Sequence, residues 1–179
     1  ERLPPLVPES RRAAGALWLE RSAGVSDAAE RDTLLSEALA VIDDRRFADW
    51  FAPDALAEAP LAGLVGTLVV SGVIDRMRVT EATVSIIDFK TGRFVPRSAE
   101  QVPVSHKRQM AAYVALLQGM FPDRAVNAAL LYSQGPTLIE LLEQLSVYDE
   151  AHQQPLRFPV QLVARHNGHE ANDFRGYMG

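Results

Sequence analysis

The chain has 179 residues, with 18 Lys and Arg against 23 Asp and Glu, a formal net charge of −5, and no cysteine. That length can bury a core without covalent staples. The missing thiols exclude a disulfide scaffold, a thiolate zinc site, a cysteine nucleophile and a cysteine-ligated iron–sulfur cluster. The acidic balance speaks against a domain that holds nucleic acid mainly through its own phosphate contacts. No apolar run approaches a membrane span and the start lacks a signal-peptide pattern, so no membrane partner and a cytoplasmic location are expected. The chain begins on Glu1 in mid-pattern, as a piece of a longer protein would.

Residues Glu9 to about Ser22 favour helix after a proline-rich entry. Asp27 with Glu30 reads as a capping box, and Leu34, Leu35, Ala38, Leu39 and Ile42 recur at helical spacing behind it. Pro53 limits that segment. Beyond Pro60 the β-branched content rises, and strands are expected over Leu64–Val70 and Val73–Val79, with Gly66 and Gly72 as bends or bulges. Thr83 to Lys90 reads as the next strand, forming a hairpin with its predecessor. Apolar residues at both parities predict a sheet covered on both faces.

Ser105 is expected to cap a helix reaching about Met120, with Met110, Tyr113, Val114 and Leu117 on its apolar stripe. Val126 to Tyr132 returns to the sheet, Gly135-Pro136 turns, and Leu138 to Leu145 reads as a strand running into a short helix. The expected fold is α/β, a small mixed sheet flanked by helices. Residues 1–147 would form the domain, with 148–179 as a C-terminal extension or tail. A phosphate-binding GxxxxGK[ST] loop is absent, so no nucleotide is expected in this domain.

The chemistry concentrates in Gly72-Val73-Ile74-Asp75-Arg76 and Ile86-Ile87-Asp88-Phe89-Lys90-Thr91-Gly92. Asp88 and Lys90 alternate by two on a strand and so share one face, where burial costs several kcal/mol per ion unless they pair or bind a charged ligand. With a hairpin loop of two or four residues, paired positions sum to 163 and Asp75 falls opposite Asp88; a three-residue loop would flip its parity. Two carboxylates so placed repel, and Mg²⁺ would resolve the conflict while keeping waters and phosphate oxygens among its ligands. Attack of water on a phosphodiester uses such a set, with Lys90 orienting the nucleophile or stabilising the developing charge. Spacing alone is equally compatible with a structural Asp88–Lys90 pair and Asp75 bonded to Arg76 or Arg78.

Asp75, then Asp88-Phe89-Lys90, then Gln109-Met110-Ala111-Ala112-Tyr113, resembles the PD-(D/E)xK nuclease signature ending in a QxxxY helix. The wording is most similar to the C-terminal RecB-like nuclease domain of AddA-type helicase-nucleases, over about Glu58 to Tyr132. The resemblance implies a restriction-endonuclease-like core and an exonuclease-type, Mg²⁺- or Mn²⁺-dependent DNA nuclease acting in double-strand-break repair. Implied partners are DNA (a single strand or unwound duplex end), the helicase domains of the parent chain and an AddB-type subunit. Asp75 and Asp88 would be catalytic metal ligands, joined by the Phe89 main-chain carbonyl and by Glu58 as a candidate third carboxylate, and Lys90 the catalytic lysine. Gln109 and Tyr113, four apart on one helix face, would support the site or bind DNA along with Thr91, Arg93 and Arg108.

Four cysteines holding an iron–sulfur cluster mark Cas4-like and AddB-type relatives, so their absence points to the AddA-type branch and to no cluster. RecB-like nucleases also place a metal-binding His upstream of the first strand, and no His precedes His106 here. The alternative is therefore a catalytically incompetent nuclease-like module that guides a DNA strand or docks a subunit. His106, beside Lys107 and Arg108, reads more simply as a solvated basic helix end than as a phosphate contact. His166 and His169 flank Asn167-Gly168, which favours a turn over a metal pair.

Overall fold

The computed structural model describes residues 3–92 and 94–141. Arg93, the expected helix after Leu141, His166, His169 and the 148–179 extension lie outside the described residues. Two helices, α1 (Pro8–Arg21) and α2 (Ala28–Ile42), open the chain. Asp27 caps α2, its carboxylate accepting from the Glu30 N–H at 2.8 Å, as the capping box predicts. A short 3₁₀ segment, Arg45–Phe51, then leads to the sheet.

Among the described residues the sheet has five strands in chain order: β1 (Leu56–Val65), β2 (Leu68–Val79), β3 (Thr83–Lys90), β4 (Ala125–Tyr132) and β5 (Thr137–Glu140). Only β3 and β4 are parallel, joined by the crossover helix α3 (Val104–Met120). This is a mixed sheet flanked by helices, a restriction-endonuclease-like core.

Three boundaries differ from the sequence reading. The expected strands Leu64–Val70 and Val73–Val79 are instead the end of β1 and one uninterrupted β2, because Gly66, at φ +60°, makes the hairpin turn between Val65 and Leu68. Pro60 lies inside β1, which is tolerable because β1 is an edge strand and a missing N–H there breaks no interior ladder. Gly72 is no bend: it sits within β2 beneath Tyr113. Ser105 is not the cap of α3. The helix begins two residues earlier than that cap would allow, at Val104 behind Pro103, whose carbonyl accepts from His106 and Lys107.

Both sheet faces are covered. On one, α3 supplies Met110, Tyr113, Leu116 and Leu117 against Ile74, Val84, Ile86, Ala128 and Leu130. On the other, Val41 and Phe47 pack on Ile87, Ala129 and Leu131, with Trp50, Phe51 and Phe89 at the margin. Hence β3 and β4 read as largely apolar runs, interrupted by Ser85 and Asn127 toward their starts and by Asp88 and Lys90 at the end of β3.

Candidate active site

The β2–β3 hairpin fixes the first relation. Its register runs from Val79↔Val84 to Arg76↔Ile87, every pair summing to 163, which is the even-loop register expected to carry Asp75 toward Asp88, and the ladder ends at Arg76. Just past Arg76 the connection changes character. Asp75 Oδ2 accepts the Phe89 N–H at 2.6 Å, so a side chain takes over where the main-chain ladder stops.

Asp75 also marks a slip in β2. Ile74 and Met77, three residues apart, both pack in the core beneath α3, whereas Arg76 lies over the Phe51 ring on the opposite face. Strict alternation would forbid this. The neighbouring strand slips with it: between Ala57↔Arg76 and Ala59↔Ile74 stands Glu58 at φ +48°, the left-handed region that costs a non-glycine residue about 1–3 kcal/mol. The sequence offered no signal for that paired irregularity.

Asp88 and Lys90 share the α3 face with Val84 and Ile86 and are almost wholly buried, 5% and 8% exposed. Lys90 Nζ bonds Asp88 Oδ2 at 2.6 Å. Gln109, from α3, bridges the pair: its Oε1 accepts from Lys90 Nζ at 2.8 Å and its Nε2 donates to Asp88 Oδ1 at 3.0 Å. The same Nε2 lies 3.3 Å from the Tyr113 hydroxyl, which four-residue helical spacing places on the same face.

Burial pushes the Asp75 carboxyl up to about 6; the Phe89 N–H opposes that rise, nearby Asp88 and Glu58 add to it, and Lys90 works against it. Asp75 thus feels two further carboxylates, Asp88 and Glu58, against the one ammonium of Lys90, a surplus of negative charge that suits a hard divalent cation. Among the described residues no group of three or more His, Asp or Glu side chains is arranged to hold a metal unaided. The donor set fits a cation that takes one or two carboxylates and completes its shell with water and phosphate oxygens.

Of the other expected site residues, Thr91 is exposed just beyond β3 and Arg108 is exposed on α3. Sequence reading took His106 for a solvated helix end, which its burial corrects, and did not single out Tyr132 as a neighbour of the site. His106 is half-buried, its Nδ1 3.2 Å from the Tyr132 hydroxyl, and burial first and Lys90 second hold its pKa below the usual histidine value. Tyr132 pairs with Lys90 across β3 and β4 and is 2% exposed, its hydroxyl pKa raised by burial and by Asp88. The available signal was spacing: His106, Gln109 and Tyr113 lie at i, i+3 and i+7.

Among characterised proteins, the bifunctional enzyme NodQ of Rhizobium tropici is 38% identical over 99 residues, 54% of this chain and 15% of that protein. Sulfate adenylyltransferase subunit 1 of Yersinia enterocolitica is 58% identical over 45 residues, 25% of this chain and 9% of that protein. The chain thus spans a small fraction of the length of these relatives. A solved structure described as "Crystal structure of SSO0001" superposes with a TM-score of 0.37 at 18% identity, covering 83% of this chain and 73% of that one. The model of the PD-(D/E)XK nuclease superfamily matches residues 4–174, and the chain belongs to that superfamily.

Proposed function

We propose that this chain is the DNA-cleaving module of an AddA-type helicase-nuclease that processes DNA double-strand ends. It would hydrolyse phosphodiester bonds of a single strand or unwound duplex end in an exonuclease-type reaction dependent on Mg²⁺ or Mn²⁺. Superfamily membership supports nuclease chemistry, and the sequence resemblance supports the AddA-type context. The observation that carries the catalytic reading is the buried Asp88–Lys90–Gln109 triangle with Asp75 bonded to the intervening Phe89 N–H.

In this reading Asp75 and Asp88 hold the cation, with the Phe89 carbonyl and Glu58 as further donors. When bound, the ion neutralises phosphoryl charge and lowers the pKa of a coordinated water. Lys90 orients the attacking water and stabilises charge on the phosphate in the transition state. Gln109 keeps Lys90 in place, and burial of both strengthens every electrostatic contact by excluding bulk water. Thr91, Arg93 and Arg108 would guide the backbone of the strand. Helicase domains of a parent chain and an AddB-type subunit would deliver that strand.

The test is degradation of single-stranded DNA with Mg²⁺ or Mn²⁺ by the parent-length protein, before and after Asp88→Ala and Lys90→Ala. Each substitution is expected to lower the rate by about 10³-fold or more, in the range seen when a transition-state charge partner is removed. Undiminished cleavage in either variant overturns the assignment.

A further inference from the structure

We propose that Gly72 and Tyr113 are positioning residues for Lys90, acting through the side-chain amide of Gln109; the inference rests on the catalytic reading of Asp88 and Lys90. Gln109 is polar at both ends and each end has a charged neighbour. Its oxygen accepts from the Lys90 ammonium and its nitrogen donates to the Asp88 carboxylate. A flipped amide would face donor to ammonium and oxygen to carboxylate, so one orientation is electrostatically enforced.

The amide still needs an anchor, because one of its two partners is spoken for during catalysis. A cation drawing on Asp88 competes with Lys90 for that carboxylate, whereas Gln109 Oε1 is a neutral acceptor that Lys90 can keep. Gln109 Nε2 also donates to the Tyr113 hydroxyl at 3.3 Å, a neutral partner that holds the amide whatever becomes of the Asp88 contact. Tyr113 is 5% exposed, and burial keeps it a neutral phenol by raising its pKa.

Gly72 explains how Tyr113 comes to lie there. A Cβ at this position would stand 2.8 Å from the Tyr113 Cζ and 2.9 Å from its Cε1, and closer still to the hydroxyl oxygen. The ring therefore rests on the bare backbone of β2, and any side chain at position 72 must lift it. A displacement there passes to Gln109 one helical turn away and from Gln109 to Lys90, where misplacement on the ångström scale costs rate.

Two measurements on the same protein test this. In the metal-free protein, NMR signals of the Gln109 side-chain NH₂, assigned by their loss in Gln109→Met, are expected to be protected from exchange and to lose that protection in Tyr113→Phe. In cleavage assays Tyr113→Phe is expected to lower kcat about tenfold with KM and the Mg²⁺ midpoint within about twofold, an effect confined to the transition state. Gly72→Ala should lower kcat at least as far, and adding Tyr113→Phe to it should cost little more, because coupled residues are not additive. Gln109 signals that ignore Tyr113→Phe, or unchanged kcat in that variant, overturn the inference. Should Gly72→Ala fold poorly, Tyr113→Phe alone decides it. A wild-type protein that cuts no DNA with Mg²⁺ removes the nuclease reading instead, and the NMR result stands apart from that outcome.

Discussion

Lys90 and Asp88 carry opposite demands. Before a cation arrives, each neutralises the other in a site that is nearly closed to water, and a buried pair broken from one side leaves an uncompensated charge. Lys90→Ala is therefore expected to lower the stability of the metal-free protein by about 3 kcal/mol. The same change removes the competitor for Asp88 Oδ2, so Mg²⁺ should raise the Tm of Lys90→Ala more than that of the wild type. Thermal unfolding with chelator and with Mg²⁺ checks both signs. Asp75 adds a pH dependence. Its carboxyl titrates near 6 in the fold against 3.8 ordinarily, so between those values the folded chain holds a proton that the unfolded chain has released. The stabilisation this gives is fully present below 3.8 and is lost as the pH rises through about 6. Metal binding requires the ionised form and runs the other way: affinity for Mg²⁺ should fall by up to about tenfold per pH unit below 6. Calorimetric titration across that range, with Asp75→Asn as the control that flattens the profile, measures it.

At the scale of elements, what could be read in advance was whatever local pattern determines. The Asp27 cap and the α3 stripe follow from spacing, whereas the sequence left the β2–β3 loop length open, and the register found is the one that a loop of two or four residues sets. The β1–β2 hairpin was misplaced because Pro60 and Gly66 were weighed as interruptions. Edge position makes the proline harmless, and the left-handed glycine is the turn itself. Position within a sheet is a tertiary property that no local window contains. Glu58 is the sharper case, since its left-handed backbone accompanies the slip at Asp75 and neither residue type announces it. Two substitutions separate the roles of these two positions. Gly66→Ala meets no atom within 4 Å of the new Cβ, so its cost is backbone strain alone, about 1–2 kcal/mol, with cleavage unchanged. Glu58→Gly relieves strain of about 1 kcal/mol and is expected to raise Tm while weakening Mg²⁺ binding. Denaturant unfolding together with metal titration distinguishes the two, and a Glu58→Gly protein that binds Mg²⁺ as well as the wild type removes Glu58 from the ligand set.

For the molecule as a whole, a net charge of −5 and a cluster of carboxylates at the site set how DNA can approach. A strand backbone is repelled by both, and Arg97 and Arg108, which flank the site in the sequence, are exposed to screening salt. A divalent ion bound there cancels the local negative surplus without altering the rest of the surface. The chain is thus expected to bind a single-stranded oligonucleotide weakly in chelator and about tenfold or more tightly with Ca²⁺, which occupies hard-oxygen sites while slowing cleavage. With few phosphate contacts expected from an acidic chain's own cations, log affinity should fall only shallowly with log salt, by a slope of about two or less. Fluorescence anisotropy over a salt series, with and without Ca²⁺, supplies both quantities. Tight metal-independent binding with a steep slope would mean instead that an extended basic surface holds the DNA, and that the carboxylates are bystanders to its capture.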